Sequence, residues 1–163
     1  MQSRNAMSTY SQAQLPDAVK VPAGHKVALQ TVGVGEITYE CRAKADSAGA
    51  FEWVFVGPQA DLNARNGSKL GTYFGPPATW ASTDGSMFTG TQVAVAPSST
   101  GNIPLQLVKA NPASGSGAMT GVTYVQRVAT KGGVAPAEPC VSATVGRKSV
   151  VKYQADYIFW KAA

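Results

Sequence analysis

The chain has 163 residues, enough for one domain that buries roughly two-thirds of the surface its unfolded form exposes, so a single core suffices. Charged residues make up only 14% of it and hydrophobic residues 44%; with Gly, Ser, Thr, Ala and Val abundant, that balance leans toward β structure in an extracellular setting. The formal charge of +5 comes from basic residues placed singly or in pairs such as Arg147-Lys148, which argues against a nucleic-acid partner, because such binders gather their basic residues on a stripe with aromatics between them.

Residues 1–18 are polar and without strand or helix periodicity, and are expected to form a loose N-terminal segment ahead of a single β domain over 19–163. The start lacks the apolar core of a signal peptide, so the chain is either cytosolic or has lost a leader before this sequence begins, with Met7 a second start behind added residues. From Pro22 onward the apolar residues alternate with period two, and turn residues recur at short intervals. Strands are expected over 26–32, 36–42, 52–56, 69–74, 87–95, 103–109, 118–129, 149–152 and 154–161. In the seventh, Val122, Tyr124 and Val128 should share an inward face, with Gln126 as the exception. Asn66-Gly67 and Asp84-Gly85 mark hairpins with type I′ turns, and residues 110–117 read as a surface loop. Nowhere is there an apolar stretch near the roughly 20 residues of a membrane-spanning helix. The fold class expected is all-β, a single-domain sandwich or flattened barrel of about eight to ten mostly antiparallel strands.

Cys41 and Cys140 are the only cysteines. They show no Cys-x-x-Cys spacing and no histidine nearby, which disfavours zinc. One reading is a disulfide, which closing a loop of this length would make worth about 4.7 kcal/mol in the chain-entropy picture. The other is a pair of buried thiols.

His25 is the only histidine, so any imidazole chemistry must use it; the plain alternative is a hydrogen-bonded loop residue. A carboxylate-pair hydrolase would draw on Glu36, Glu52, Asp84 or Asp156, although Asp84 is more simply a turn residue. Glu36 and Glu40 share a strand face but stand about 13 Å apart along it. Thr130-Lys131-Gly132-Gly133, with Arg127 beside it, offers backbone N–H groups and cations to an anionic ligand, against the plainer reading of a glycine-rich connection toward Cys140. Tyr73 and Trp80 are candidates for a stacking surface, the latter in the Pro- and Gly-held string 74–80, although core packing is the stronger reading for most of the aromatics. No residues are assigned as catalytic or as metal ligands, and no cofactor motif is present: there is neither a G-x-G-x-x-G between strand and helix nor a phosphate-loop spacing.

Five blocks carry a resemblance: Val21-Pro22-Ala23-Gly24-His25-Lys26; Ile37-Thr38-Tyr39-Glu40-Cys41; Trp80 through Asp84-Gly85-Ser86; Gly121 through Val128, continuing over Thr130–Pro136 to Cys140; and Ala155-Asp156-Tyr157-Ile158-Phe159. On these the chain resembles DUF3455, a family of small secreted bacterial and fungal proteins of unknown function. The resemblance implies export, a Cys41–Cys140 bridge and a compact β fold, and it transfers no catalytic residue. Where a Gly-Thr-His-Tyr-like strand end would be expected, this chain has Gly71-Thr72-Tyr73-Phe74, so any histidine chemistry at that site is lost. The malate-dehydrogenase-like label carried by some fungal relatives finds no nucleotide-binding motif here.

The expected function is a non-catalytic, exported ligand-binding or surface-associated module, located in a periplasm, at a cell surface or in the medium. Its partner would be a small molecule, a carbohydrate or a protein. The alternatives are a secreted hydrolase of an extracellular polymer and a self-associating envelope protein that uses exposed strand edges.

Overall fold

A computed structural model describes residues 10–163; the first nine residues of the segment expected to be loose lie outside the described residues. Runs of Val, Thr, Ile and aromatic residues, unbroken by helix-forming periodicity, build eight strands: β1 (His25–Ala43), β2 (Phe51–Asn63), β3 (Lys69–Phe74), β4 (Thr79–Ser82), β5 (Met87–Ala96), β6 (Leu105–Ala110), β7 (Val122–Gly132) and β8 (Lys148–Ala162). They pair antiparallel in chain order, and β1 also pairs with β8, which closes the sheet into a barrel. The all-β expectation is met, in its barrel form.

Two expected breaks are absent. Strands 26–32 and 36–42 are one strand because Gly33-Val34-Gly35 stays in register with both neighbours. The glycines are there for close approach: a Cβ on Gly33 would lie 2.6 Å from the Tyr157 ring, and one on Gly35 2.5 Å from Ala60 Cα. Similarly, 149–152 and 154–161 merge into β8. Residues expected only to flank a hairpin form β4, and the 118–129 strand starts later, at Val122.

Both predicted hairpins form, with a different turn. Gly67 and Gly85 have φ of 93° and 96°, whereas neither Asn66 nor Asp84 has a positive φ. The bonds Gly67 N→Ala64 O and Ala64 N→Ser68 O, repeated as Gly85 N→Ser82 O and Ser82 N→Ser86 O, describe a type I turn closed by a left-handed glycine. Asn66 and Asp84 spend their side chains on the following backbone instead, accepting from Ser68 N and Ser86 N at 2.9 Å each.

The interior is filled by side chains from every strand, as an eight-stranded barrel requires: Ile37, Leu62, Tyr73, Trp80, Phe88, Val108, Val125 and Phe159 are among them. Trp80 stacks between Tyr73 and Phe88, at 4.7 and 5.3 Å between ring centroids. Burial pushes the phenol pKa of Tyr157 well up and that of Tyr153 to about 12, and the two hydroxyls pair at 3.0 Å.

A second apolar layer lies outside the sheet. Residues 10–21, including a short 3₁₀ turn at Asp17–Val19, bring Val19 and Val21 onto Leu107, Val128, Ile158 and Trp160, with Tyr10 and Tyr124 at its margin. Val122, by contrast, belongs to the interior layer, because a bulge between Val122 and Tyr124 changes the phase of β7. The expected single inward face is therefore split: Val122 points in, and Tyr124, Gln126 and Val128 point out beneath the N-terminal segment. Gln126 is fully buried and fully used, accepting from Trp160 Nε1 (2.9 Å) and Tyr10 Oη (3.2 Å) and donating to Gln12 Oε1 and Val19 O (2.9 Å each).

The disulfide reading holds: Cys41 and Cys140 are bonded, with Cα atoms 5.5 Å apart. The bond ties the end of β1 to the 133–147 connection, which Tyr39 Oη→Gly133 O (2.6 Å) and Trp53 Nε1→Glu138 O (2.9 Å) also hold down. Beyond the rim, β3 pairs only with Gln59–Asn63, so the outer edge of β2 before Gln59 has no strand beside it among the described residues.

Two outcomes follow. Reduction, or Cys140→Ser, should lower unfolding stability by about 2–5 kcal/mol; urea melts with and without reductant measure it, and coincident curves would remove the bond from the list of stabilising elements. Replacing Gln126 with Ala strands the buried Trp160 donor and removes the partner of the half-buried Tyr10 hydroxyl, at a cost of about 1–3 kcal/mol. Hydrogen exchange at the Val21 amide, which Gln12 Oε1 holds at 2.8 Å, should speed up in that variant, and unchanged exchange would contradict the bridging role.

Candidate functional site

Two concavities contain residues expected to bind ligands. The larger, of about 650 Å³, crosses the outer face of β8, β1 and β2. Strand register builds it as two rows. In one, Gln59, Glu36 and Lys152 stand side by side on β2, β1 and β8; in the next, Asp61, Val34 and Gln154 do, followed by Lys131 on β7. The rows are two residues apart, about 7 Å, and Gly35 and Gly132 are among the residues that line the groove between them. Two ammonium groups, two carboxylates and two amides thus surround one small apolar patch. Asp61 is paired with Lys69 at 3.3 Å, both half exposed, a pair that contributes little in water.

Asp156, two residues from Gln154 on β8, is half buried; desolvation raises its pKa, and the charges of Arg65 and Lys131 oppose the rise. It is not among the residues that line the groove.

The second concavity, of about 570 Å³, lies at the opposite end of β7 and is lined by His25, Lys109, Thr123 and Tyr124 together with the 110–122 connection. His25 Nδ1 lies 2.9 Å from Thr123 Oγ1, and its ring meets Tyr124 edge-on at 5.1 Å.

The expected site residues are therefore dispersed. Lys131 and Gly132 share the first groove, and His25 lies in the second. Gly133 sits inside, where a side chain would press on Ile103, Tyr153 and Ile37 at 3.0–3.2 Å. The Gly132 N–H is already donated to Asn102 Oδ1 (2.8 Å), so the 130–133 backbone does not present a free anion cradle at that position. Arg127 gives two hydrogen bonds to Pro104 O, at 3.0 and 2.9 Å, and ties β7 to the 97–104 connection. Tyr73 and Trp80 are core residues, 6% and 1% exposed; of the 74–80 string only Pro76 and Pro77 are exposed. The recruits that sequence reasoning missed are Gln59, Asp61, Lys152 and Gln154 in the first groove and Lys109, Thr123 and Tyr124 in the second. Only cross-strand register assembles them.

Asp84, one of the candidate acids, closes the base of the barrel. Its carboxylate accepts from Ser86 N (2.9 Å), Ser86 Oγ (2.6 Å) and Ala118 N (2.8 Å), while Ser86 Oγ accepts from Met119 N (3.1 Å) and so seats the Met119 side chain in the interior layer. The Ser86 bonds come first among the causes that hold this carboxyl well below the usual carboxylate range. Because the folded pKa is the lower one, the clasp contributes fully above about pH 4, where the unfolded carboxyl is also ionised, and fades as pH falls below that. Asp84→Asn should therefore destabilise at pH 7, with the gap to the parent narrowing between about pH 4 and pH 2; a gap independent of pH would assign the effect to shape alone.

Among the described residues there is no group of three or more His, Cys, Asp or Glu able to hold a metal ion, and no helix is long and apolar enough to cross a membrane. The family model described as "Protein of unknown function (DUF3455)" matches residues 22–161, and the chain belongs to that family. No curated protein and no solved structure matches the chain.

Proposed function

We propose that this DUF3455 barrel is an exported, non-catalytic binding module whose ligand lies across β8, β1 and β2, in the groove of Lys131, Lys152, Glu36, Asp61, Gln59 and Gln154. The observation that carries this reading is the groove itself: charged and amide groups from four strands, set side by side by the register of a closed sheet. Rigid strands hold such groups more accurately than loops do. Two amides and charges of both signs in one open groove suit a polyhydroxylated chain, so an extracellular saccharide is the ligand class we favour. The Cys41–Cys140 bond supports export, since such bonds persist mainly in oxidising compartments.

A hydrolase is the second reading, because Glu36 and Asp61 are diagonal neighbours across β1 and β2, about 7–8 Å apart, within the spacing of an inverting carboxylate pair. Against it, both acids are exposed to water, and the desolvated Asp156 lies outside the groove. Of the other acids considered, Asp84 is engaged in its clasp and Glu52 lies opposite Arg42 on the protruding hairpin.

Amide chemical shifts recorded with cellotetraose and chitotetraose test the proposal. Binding should perturb Gly132, Gln59 and Gln154, and Lys131→Ala should weaken it about tenfold, one charge-assisted hydrogen bond. No perturbation of the groove by either sugar overturns the saccharide reading. Release of reducing ends, abolished by Glu36→Gln, would replace the binding module with the hydrolase.

A further inference from the structure

The pocket at His25 is chemically unlike the first groove. Its apolar lining residues are Ala110 at the end of β6, Pro112 and Ala113 from the connection that follows, and Val122, with Tyr124 beside them. Of the polar groups on it, the Thr120 hydroxyl accepts from Gly117 N at 2.9 Å, and the Thr123 hydroxyl donates to Trp160 O at 3.1 Å. A hydroxyl has one proton. With that proton given to Trp160 O, the 2.9 Å contact between Thr123 Oγ1 and His25 Nδ1 requires the imidazole to donate from Nδ1. The neutral ring then keeps its lone pair on Nε2, an acceptor whose orientation is fixed by a partner behind it, as in other sites where a second hydrogen bond sets the tautomer.

The charge here is one-sided. Lys109 stands directly opposite Tyr124 on the neighbouring strand and makes no ion pair among the described residues. Lys26 and Lys161 face each other directly across β1 and β8, an arrangement of like charges that costs stability. The Lys161 stem passes 3.9 Å from where a side chain on Gly121 would begin, and Gly121 lines the pocket. No carboxylate is among the lining residues. Two functions are thus left for a ligand: a cation from Lys109 at one side of Tyr124, and an acceptor from His25 Nε2 at the other, with an apolar wall between.

We propose that this pocket is a second binding site, separate from the Lys131 groove, for a small aromatic carboxylate that carries a hydroxyl: the carboxylate pairs with Lys109, the hydroxyl donates to His25 Nε2, and the ring lies against Pro112 and Tyr124. Thr123 is a positioning residue that acts through His25. The proposal does not depend on the saccharide reading and stands or falls apart from it.

The probe is 4-hydroxybenzoate, with benzoate and phenol as halves of the same molecule. Because His25 is the only histidine, its ring resonances report the site without assignment. Long-range ¹H–¹⁵N spectra of the free protein should show the Nδ1-protonated tautomer, and Thr123→Val should lose that preference while the remainder of the spectrum stays folded. 4-Hydroxybenzoate should shift the His25 ring signals and bind about tenfold more tightly than either benzoate or phenol. Lys109→Gln should remove its advantage over phenol and leave its advantage over benzoate, whereas His25→Phe should do the reverse, with the Tyr124 signals as readout. A Nε2-protonated ring in the free protein, or equal affinity for all three probes, overturns the proposal, as does binding that perturbs Gly132 and leaves His25 unmoved.

Discussion

Pairing between the first strand and the last is the constraint on which the other features depend. The ladder runs from His25 opposite Ala162 to Glu40 opposite Lys148, and with it made, every strand has neighbours on both sides over part of its length. Both concavities draw on this seam. Lys152, Gln154, Val34 and Glu36 meet across its upper half, and His25 reaches Thr123 and Tyr124 past β8 at its lower end. Closure also dictates the two glycines of β1, because a ring this narrow brings Tyr157 and Ala60 against the strand where side chains would start.

The barrel has an inner and an outer apolar layer, and β8 serves both. Tyr157 and Phe159 point in, while Ile158 and Trp160 point out under residues 10–21. That is why its second half is buried at four successive positions, where a sheet with one wet face would alternate. Gln126 makes the outer layer specific as well as greasy: a buried amide with four partners accepts only one placement of the segment above it.

What was legible in the residues was local. Period-two alternation from Pro22 onward gave the β class, and Gly67 and Gly85 gave the hairpins. The two cysteines gave a bond as one of two readings, and the resemblance favoured it. Turn type was misjudged because Asn and Asp have two uses in a tight turn, a left-handed backbone or a side-chain bond to the next residues, and both choose the second. The face assignment in β7 failed at a bulge, since one inserted residue reverses the phase and no residue type announces it. The groove was legible only in Lys131, Gly132 and Glu36. Its other members lie up to about 120 positions apart in the chain, from Val34 to Gln154, and become neighbours through register, which depends on the whole ring. Trp80 and Tyr73 looked available because prolines and a glycine precede Trp80, yet the irregular part ends at Ala78, and the aromatic rings turn inward to fill a lumen that only large side chains can fill.

The seam also dictates an order of events in time. Seven of the eight strands can find their sequential neighbours as hairpins as soon as they are made, but the ring stays an open curl until β8 exists, and Tyr157 and Phe159, which complete the lumen, arrive with it. A nascent chain that has not yet made β8 would hold a half-built core facing water and a long bare β1 edge, the condition in which strands recruit other chains. Such a chain gains from being kept unfolded until its final strand is free. Its commitment to the native state is thereby a single late step, made when β8 closes onto β1.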